Sequence, residues 1–350
     1  MSPPAGLDHE EVYVRRGPRS GAMCIVAVHS TVRGPSLGGC RMWRYADERA
    51  AITDALRLSS AMTAKAAAAG LDQGGGKGVI ALDPASTAPP QGEERTAVLL
   101  DFAETVDALG GRYVTAEDVG TSSADMEVVA GATPHVSGLP LNRGGSGDPS
   151  PSTACGVYHA MLACLERFPG DPLPKGRSVA IVGLGQVGRR LATLLAEQGA
   201  SIVAADIDPA KRAGAEALGA RWVTPEEALV AEVDVLAPCA LGGVLDHDTA
   251  AKVRAPIVVG AANNQLSDDG VAQVLADRDI LWAPDFVVNA GGIINIAVER
   301  EPGGYDAELA RRRVAEIAVT LRGVLAEADA RGITPLAAAL DLVQRNLLED

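Results

Sequence analysis

Two lysines stand close together in stretches otherwise made of small residues: Lys65 in Met62-Thr63-Ala64-Lys65-Ala66-Ala67-Ala68-Ala69, and Lys77 in Gly74-Gly75-Gly76-Lys77-Gly78. An alanine-rich helix end and a triple-glycine turn entering a strand place both ammonium groups among small apolar residues. Burial and mutual repulsion each lower a lysine's pKa there. Snorkelling into solvent is the ordinary fate of a lysine, but three successive glycines beside Lys77 point to a ligand brought close to the backbone.

A second constellation is Gly183-Leu184-Gly185-Gln186-Val187-Gly188, which directly follows the apolar run 178–182 and opens a segment with Val187, Leu191, Leu194 and Leu195 at helical spacing. Strand, glycine turn and helix in this order bind dinucleotides. Gly183 allows the tight turn, Gly185 lets the backbone approach a pyrophosphate, Gly188 permits close helix packing, and the helix start at Gln186 and Val187 attracts the anion. The next apolar run, 201–205, ends in Asp206, a carboxylate suited to both ribose hydroxyls, with Asp208 adding negative charge. A 2′-phosphate is repelled there. Lys211 and Arg212 read as a solvated helix face, so NAD is expected rather than NADP.

Holding these groups takes two halves. The stretch 139–151, Leu-Pro-Leu-Asn-Arg-Gly-Gly-Ser-Gly-Asp-Pro-Ser-Pro, propagates neither helix nor strand and reads as an interdomain hinge. It divides a domain over 1–142 from one over 143–332. Before it, the pattern predicts a strand over 23–31, a helix capped by Asp47 that runs to about Met62, and a helix over 93–109 stopped by Gly110-Gly111, flanked by strands at 78–82 and 112–116. After it, apolar runs at 178–183, 201–205, 233–237 and 256–261 alternate with helical segments, the rhythm of a parallel α/β sheet. One helix is predicted over 306–331. Another, over 333–350, starts at Thr334-Pro335 and is expected to pack back on the first domain through Leu340, Val343 and Leu347.

A chain of 350 residues with 22% charged and 47% hydrophobic residues has the composition of a folded protein of about two domains. Its net charge of −14 disfavours nucleic acid and anionic membranes as partners. Cys24, Cys40, Cys155, Cys164 and Cys239 are dispersed and odd in number, which excludes a zinc ribbon or disulfide framework. His9, His29, His135, His159 and His247 show no metal spacing, and no metal is expected. Neither a signal-peptide pattern nor an apolar run long enough for a membrane span is present, so a cytoplasmic protein is expected.

Around the two lysines the sequence resembles the glutamate, leucine, phenylalanine and valine dehydrogenase family, closest in pattern to the leucine, valine and phenylalanine enzymes. The likeness covers 20–350 and rests also on Arg33-Gly34-Pro35-Ser36-Leu37-Gly38-Gly39, Thr115-Ala116-Glu117-Asp118-Val119-Gly120-Thr121, Gly147-Asp148-Pro149-Ser150-Pro151, Ala237-Pro238-Cys239-Ala240, Gly260-Ala261-Ala262-Asn263-Asn264-Gln265 and Asn289-Ala290-Gly291-Gly292. The resemblance implies an α/β fold of two domains separated by a cleft, a substrate-binding and catalytic domain followed by a Rossmann-type dinucleotide-binding domain. It implies NAD-dependent, reversible oxidative deamination of an apolar L-amino acid to the 2-oxo acid and ammonium.

In that pattern Lys65 grips the α-carboxylate, Lys77 is the base that activates water, and Asp118 exchanges protons with the amino group. Gly38 and Gly39 present backbone to the substrate, and an amide at Asn263, or its neighbour Asn264, holds the amino group. Thr153 touches the nicotinamide amide, and Cys239, Ala240 and Asn263 join the cofactor contacts. Leu37, Ala116, Ile293 and Ile296 form the pocket wall. With no cation at Leu37, a distal carboxylate is disfavoured, and two isoleucines leave less room for an aromatic ring than for a branched aliphatic chain. Asp148 stands where the family often has Asn, and Gln73 where it often has an apolar residue. Three alternatives remain: an aromatic amino-acid dehydrogenase, reductive amination of an unusual 2-oxo acid in biosynthesis, and a non-catalytic NAD-binding sensor, against which Lys65, Lys77 and Asp118 speak. A homo-oligomer is expected.

Overall fold

The apolar run Met23–Ser30 is a strand with both faces buried over most of its length, and the first half of the chain is built around it. The computed structural model describes residues 8–86, 88–240 and 242–348. They fall into two units, one comprising the chain up to Asp148 with Asn295–Ala307 and the residues from Asn346 onward, the other Pro149–Ile294 with Glu308–Arg345.

In the first unit β1 (Glu11–Arg16), β2 (Met23–Ser30), β3 (Ser36–Arg44), β4 (Gly74–Leu82) and β5 (Tyr113–Glu117) form one sheet in the order β1-β2-β4-β3-β5. β2 runs antiparallel to β1 and β4, whereas β3 is parallel to both β4 and β5. Side chains alternate across the sheet. Met23, Ile25, Ala27 and Val79 pack on Ala51 and Ala55 of α1 (Glu48–Ala68). Cys24, Val26, Cys40, Met42 and Ile80 pack on Leu99 and Phe102 of α2 (Gly92–Asp107) and Met126 of α3 (Ser123–Ala130). Asp47 caps α1 by accepting from the Ala50 amide at 2.7 Å, and the helix runs past Met62 to carry Lys65 in its last turn.

The triple glycine is not a turn; it is the start of β4. Its missing side chains make room for protein. A Cβ on Gly75 would lie 2.1 Å from the Thr63 amide nitrogen of α1, one on Gly76 2.6 Å from the Tyr113 ring, and one on Gly78 2.5 Å from the Phe102 ring. Close seating of α1 on one face and of two aromatic rings on the other gives these glycines a packing role within the protein.

The second unit contains α4 (Ser150–Leu165), β6 (Ser178–Val182), α5 (Gln186–Glu197), β7 (Ser201–Ala205), β8 (Arg221–Trp222), β9 (Val235–Pro238), β10 (Ile257–Val258) and β11 (Leu281–Trp282). All strand pairs are parallel, in the order β11-β10-β9-β6-β7-β8. Counted within this unit, that is the 3-2-1-4-5-6 order of a doubly wound sheet, whose chain direction switches between β6 and β9. β8 and β11, of two residues each, were too short to show as patterns.

The single helix expected over 306–331 is two, Ala307–Ala315 and Ile317–Arg331, the second ending at Gly332 with φ +64°. The last helix, Pro335–Leu348, starts under Thr334, whose hydroxyl accepts from the Ala337 amide. Its residues through Arg345 belong to the second unit, where Leu336 packs on the sheet core. Only its final turn joins the first unit, with Asn346 donating to the Ala67 carbonyl at 2.8 Å, and Leu340 is exposed, so the expected return of the whole helix is confined to that turn. Among the described residues no helix is long and apolar enough to cross a membrane.

Because the Thr63 amide belongs to helix backbone and cannot swing aside, Gly75→Ala is expected to destabilise the first unit by about 1–3 kcal/mol or more. Thermal unfolding monitored by circular dichroism checks this; an unchanged midpoint contradicts the packing role.

Candidate active site

Lys77 sits two residues before Val79 on β4 and so points to the α1 face. Its side chain is 5% exposed, and Nζ donates to Asp118 Oδ2 at 2.8 Å. An ammonium so far from water requires such a partner. Asp118 follows β5, and β5 is not the neighbour of β4, because β3 lies between them. Gly39 is paired with Ala116 in that middle strand, and a Cβ on it would come within 2.7 Å of Asp118 Cβ and 2.6 Å of the Glu117 carbonyl. Glycine there lets the two outer strands approach across the middle one. Gly38 serves the other face: a Cβ on it would meet the Gly76 carbonyl at 1.8 Å, and its own carbonyl accepts from the Tyr113 hydroxyl at 2.6 Å.

Two further groups hold Asp118. Arg41, on the same face of β3 as Gly39, donates from Nε to Asp118 Oδ2 at 3.1 Å and from Nη1 to Asp54 Oδ2 at 3.0 Å. The Asp118 amide donates to the Thr121 hydroxyl, which itself donates to the Cys40 carbonyl. Burial alone would raise the Asp118 carboxyl, but the charges and hydrogen bonds of Lys77 and Arg41 hold it below the usual carboxylate range. Its neighbour Glu117 behaves oppositely, pushed up to about 7 by burial and by the negative charge of Asp148.

Lys65 is half-buried on α1, and Leu37 and Ala116 are buried. Ile293 and Ile296 are buried on the helix Gly291–Ala297, Ile293 counted with the second unit and Ile296 with the first.

The glycine fingerprint divides its work. Gly183 has φ +101°, and a Cβ there would lie 2.6 Å from Ala240 Cβ; one on Gly188 would lie 1.9 Å from the Gly183 carbonyl and 3.2 Å from Cys239 Cβ. Both positions serve close packing. Gly185, the cap residue before Gln186 and Val187 of α5, has no atom within 4 Å of where its Cβ would be. That open backbone at a helix start suits a pyrophosphate. Asp206 is 6% exposed by side chain and accepts from the Leu184 amide (2.7 Å), the Asp208 amide (2.9 Å) and Lys211 Nζ (3.0 Å). Burial pushes its carboxyl up, and these donors together bring it below its ordinary value. Lys211 is thus a partner of Asp206 rather than part of a solvated helix face, while Arg212 does lie on such a face, paired with Glu216. A carboxylate has about four acceptor sites, so a place for a ribose hydroxyl remains.

In the loop after β10, Asn263 Oδ1 accepts from Asn289 Nδ2 at 2.9 Å, whereas Asn264 takes a left-handed backbone turn with φ +50°. The turn is held by the fully buried Gln265, whose side chain bonds the Gly260 and Ala262 carbonyls and the Trp282 indole and whose amide donates to Asp285. Thr153, in the first turn of α4, donates to the Pro149 carbonyl at 3.1 Å, and a Cβ on Gly292 would touch its hydroxyl.

Comparison with known proteins matches residues 10–135 to the Glu/Leu/Phe/Val dehydrogenase dimerisation domain and 206–306 to the Glutamate/Leucine/Phenylalanine/Valine dehydrogenase domain. Residues 166–241 match the NAD binding domain of D-isomer specific 2-hydroxyacid dehydrogenases. The chain is 43% identical to valine dehydrogenase of Streptomyces virginiae, over 97% of this chain and 94% of the relative. The chain belongs to the Glu/Leu/Phe/Val dehydrogenase family. This dehydrogenase is also 40% identical to leucine dehydrogenase of Geobacillus stearothermophilus, over 95% of its own length and 89% of the relative. Its fold superposes on L-tryptophan dehydrogenase from Nostoc punctiforme with a TM-score of 0.80 at 36% identity, covering 98% of both chains. It is an amino-acid dehydrogenase that uses a nicotinamide cofactor.

Four residues that hold candidate site residues do not stand out in the sequence: Arg41 and Asp54 beside Asp118, and Gln265 and Asn289 beside Asn263. Gln265 and Asn289 lie inside blocks that carry the family likeness, but nothing in their type distinguishes an amide that shapes a loop from one that meets a ligand. Arg41 and Asp54 are a strand arginine and a helix aspartate, and only the fold shows that they meet.

Gly185→Ala is expected to leave the melting temperature unchanged while weakening NADH about tenfold or more, because its Cβ would meet only the bound pyrophosphate. Gly188→Ala is expected to lower both stability and affinity. Fluorescence titration with NADH alongside thermal melts separates them; undiminished affinity in Gly185→Ala contradicts the pyrophosphate role.

Proposed function

We propose that this dehydrogenase catalyses NAD-dependent, reversible oxidative deamination of an apolar L-amino acid, with branched aliphatic side chains favoured. The observation that carries the proposal is the ion pair between the buried Lys77 and the partly buried Asp118. Lys65 binds the substrate α-carboxylate, and Asn263, its amide oriented by Asn289, holds the amino group. A nicotinamide cofactor held by the Gly183–Gly188 turn and Asp206 would supply the hydride acceptor for Cα, so that the substrate is left as an iminium. Lys77 then takes a proton from water as the oxygen attacks that carbon, and a base beside it must be unprotonated for this step. Asp118 relays that proton from Lys77 to the amino nitrogen of the carbinolamine, and as the C–N bond breaks and ammonia departs, Lys77 takes the hydroxyl proton and the carbonyl of the 2-oxo acid forms. The reverse sequence is reductive amination through the same groups.

Leu37, Ala116, Ile293 and Ile296 serve as the apolar side-chain wall, a lining that favours valine, leucine or isoleucine over glutamate. The likeness to valine and leucine dehydrogenases supports this choice. Asp206 sets the preference for NAD: its carboxylate accepts from ribose hydroxyls and opposes a 2′-phosphate, with Lys211 offsetting part of that repulsion. Thr153, Cys239 and Ala240 complete the nucleotide site. A homo-oligomer is proposed from the dimerisation-domain match over 10–135.

A panel of L-amino acids including phenylalanine, tryptophan and glutamate, followed by NADH absorbance, tests reaction and side chain together; no turnover with any apolar member refutes the proposal. Lys77→Ala is expected to lower kcat by about 10²–10⁴-fold while NADH still binds, and a loss below tenfold refutes the base role. Asp206→Ser is expected to raise the ratio of NADP to NAD activity, because Lys211 is then free to meet the phosphate. An unmoved ratio assigns the preference to another residue.

A further inference from the structure

Asp118 Oδ2 is shared by two cations of different chemistry. Lys77 reaches it from β4 at 2.8 Å and Arg41 from β3 at 3.1 Å, and Arg41 continues to Asp54 Oδ2 at 3.0 Å on α1. Asp54 in turn accepts from the Tyr45 hydroxyl at 2.7 Å and from Arg57 at 2.9 Å. The result is a continuous chain of hydrogen-bonded charges from the buried lysine to the flank of the first helix. Nothing in the proposed chemistry requires Arg41 to touch a substrate, yet its side chain is mostly buried and bridges two carboxylates with a rigid planar fork.

We infer that Arg41 is a positioning residue for the reaction: it supplies Asp118 with a permanent countercharge and fixed orientation, so that Lys77 can release its proton without leaving a partly buried carboxylate unpaired. The inference rests on the proposed roles of Lys77 and Asp118. A guanidinium stays protonated at every pH at which a lysine titrates. If Lys77 were the sole partner of Asp118, its neutral form would leave an unpaired anion with only about a quarter of its side chain in contact with water, a state that favours keeping the proton on the lysine. With Arg41 in place the carboxylate remains paired in both protonation states. Because both donors contact one oxygen, the two cationic groups also lie within about 6 Å of each other.

Other ionisable groups facing this centre act in defined directions. Asp54 opposes Arg41, and although burial raises its carboxyl, Tyr45, Arg57 and Arg41 hold it low. Glu117, at the end of β5, is the group pushed up to about 7. Cys40, between Gly39 and Arg41 but on the other face of β3, is driven far up by burial and stays a thiol.

The test is the pH profile of kcat/KM for deamination of the best substrate from the panel. Arg41→Gln is expected to move the inflection on the acid side upward by about one pH unit, with activity on that limb falling about tenfold and recovering at alkaline pH. Arg41→Lys keeps the charge but not the fork, so its inflection is expected within a few tenths of the parent value and its maximal rate lower. Asp54→Asn leaves Arg41 uncompensated and is expected to move the inflection the opposite way, downward. A purely structural role lowers activity equally at all pH values without moving the inflection. That result, in Arg41→Gln with parental NADH affinity and melting temperature, overturns the inference. If Arg41→Gln does not fold, an unmoved or raised inflection in Asp54→Asn overturns it instead. A parent protein inactive with every amino acid refutes the proposed function, a different outcome from either.

Discussion

The first unit is organised by the need to keep one ammonium out of water. Removing an ion of that size from solvent costs several kcal/mol even after relaxation, and Lys77 is 5% exposed by side chain. Its partner lies two strands away, so the intervening strand has to be free of side chains at that level, which is what Gly39 provides. The face toward which Lys77 points is covered by α1, and α1 seats closely because Gly75 has no side chain. Tyr113 fills the space under Gly76 and bonds the Gly38 carbonyl, closing the opposite face. Several glycines that look like flexibility in the sequence are therefore packing positions, each set by a backbone or ring atom nearer than a methyl group allows.

Carboxylates perform a second task in this acidic chain: they hold backbone amides. Asp206 takes the amides of Leu184 and Asp208; Asp101, with no exposed side-chain surface, takes those of Arg19 and Ser20; Asp234 takes that of Ser178; Glu299 takes those of Gly138 and Ser146. Burial pushes Asp101, Asp206 and Asp234 up, but their donors bring each below its ordinary value. A carboxylate with a depressed folded-state pKa contributes stability that is fully present above its unfolded value and lost as pH falls through the folded one. These staples thus each weaken in acid, and they hold the turn at Arg19-Ser20, the start of β6 and the glycine turn after it. The negative balance of the composition, which in the sequence speaks only about partners, is in part an internal fastening system.

How legible the molecule is from its sequence follows from the range of each interaction. Periodicity and caps are local, so α1, α2 and β2 and the glycine fingerprint stand out, as does Asp47 as a cap. β3 contains Gly38 and Gly39 and so lacks the strand pattern, although it joins β5 to the rest of the sheet. The two-residue strands β8 and β11 exist only because a neighbour pairs with them. Lys65, Lys77 and Asp118 are visible through family likeness, and the fold brings Lys77 and Asp118 into contact. Arg41 and Asp54 were invisible because their meaning is a meeting between β3 and α1. The partner of Lys211 is hidden for the same reason: helical spacing says which face a residue lies on, not that its side chain can turn back to a carboxylate five residues before it.

The adjacent carboxyls Glu117 and Asp118 show how the sheet turns one residue type into two chemistries. Successive residues at a strand end diverge to opposite sides. Asp118 enters the field of Lys77 and Arg41 and remains an anion throughout the neutral range. Glu117 gains burial without a cation and instead meets Asp148, which pushes it up to about 7. Exchanging the two side chains would not exchange their behaviour, because both shifts belong to the positions. The strand register that pairs Gly39 with Ala116 determines which side of β5 meets the cations, and a slip of one residue would send every side chain to the other face. The ionisation of each carboxyl is thus a property of sheet register before it is a property of the residue itself.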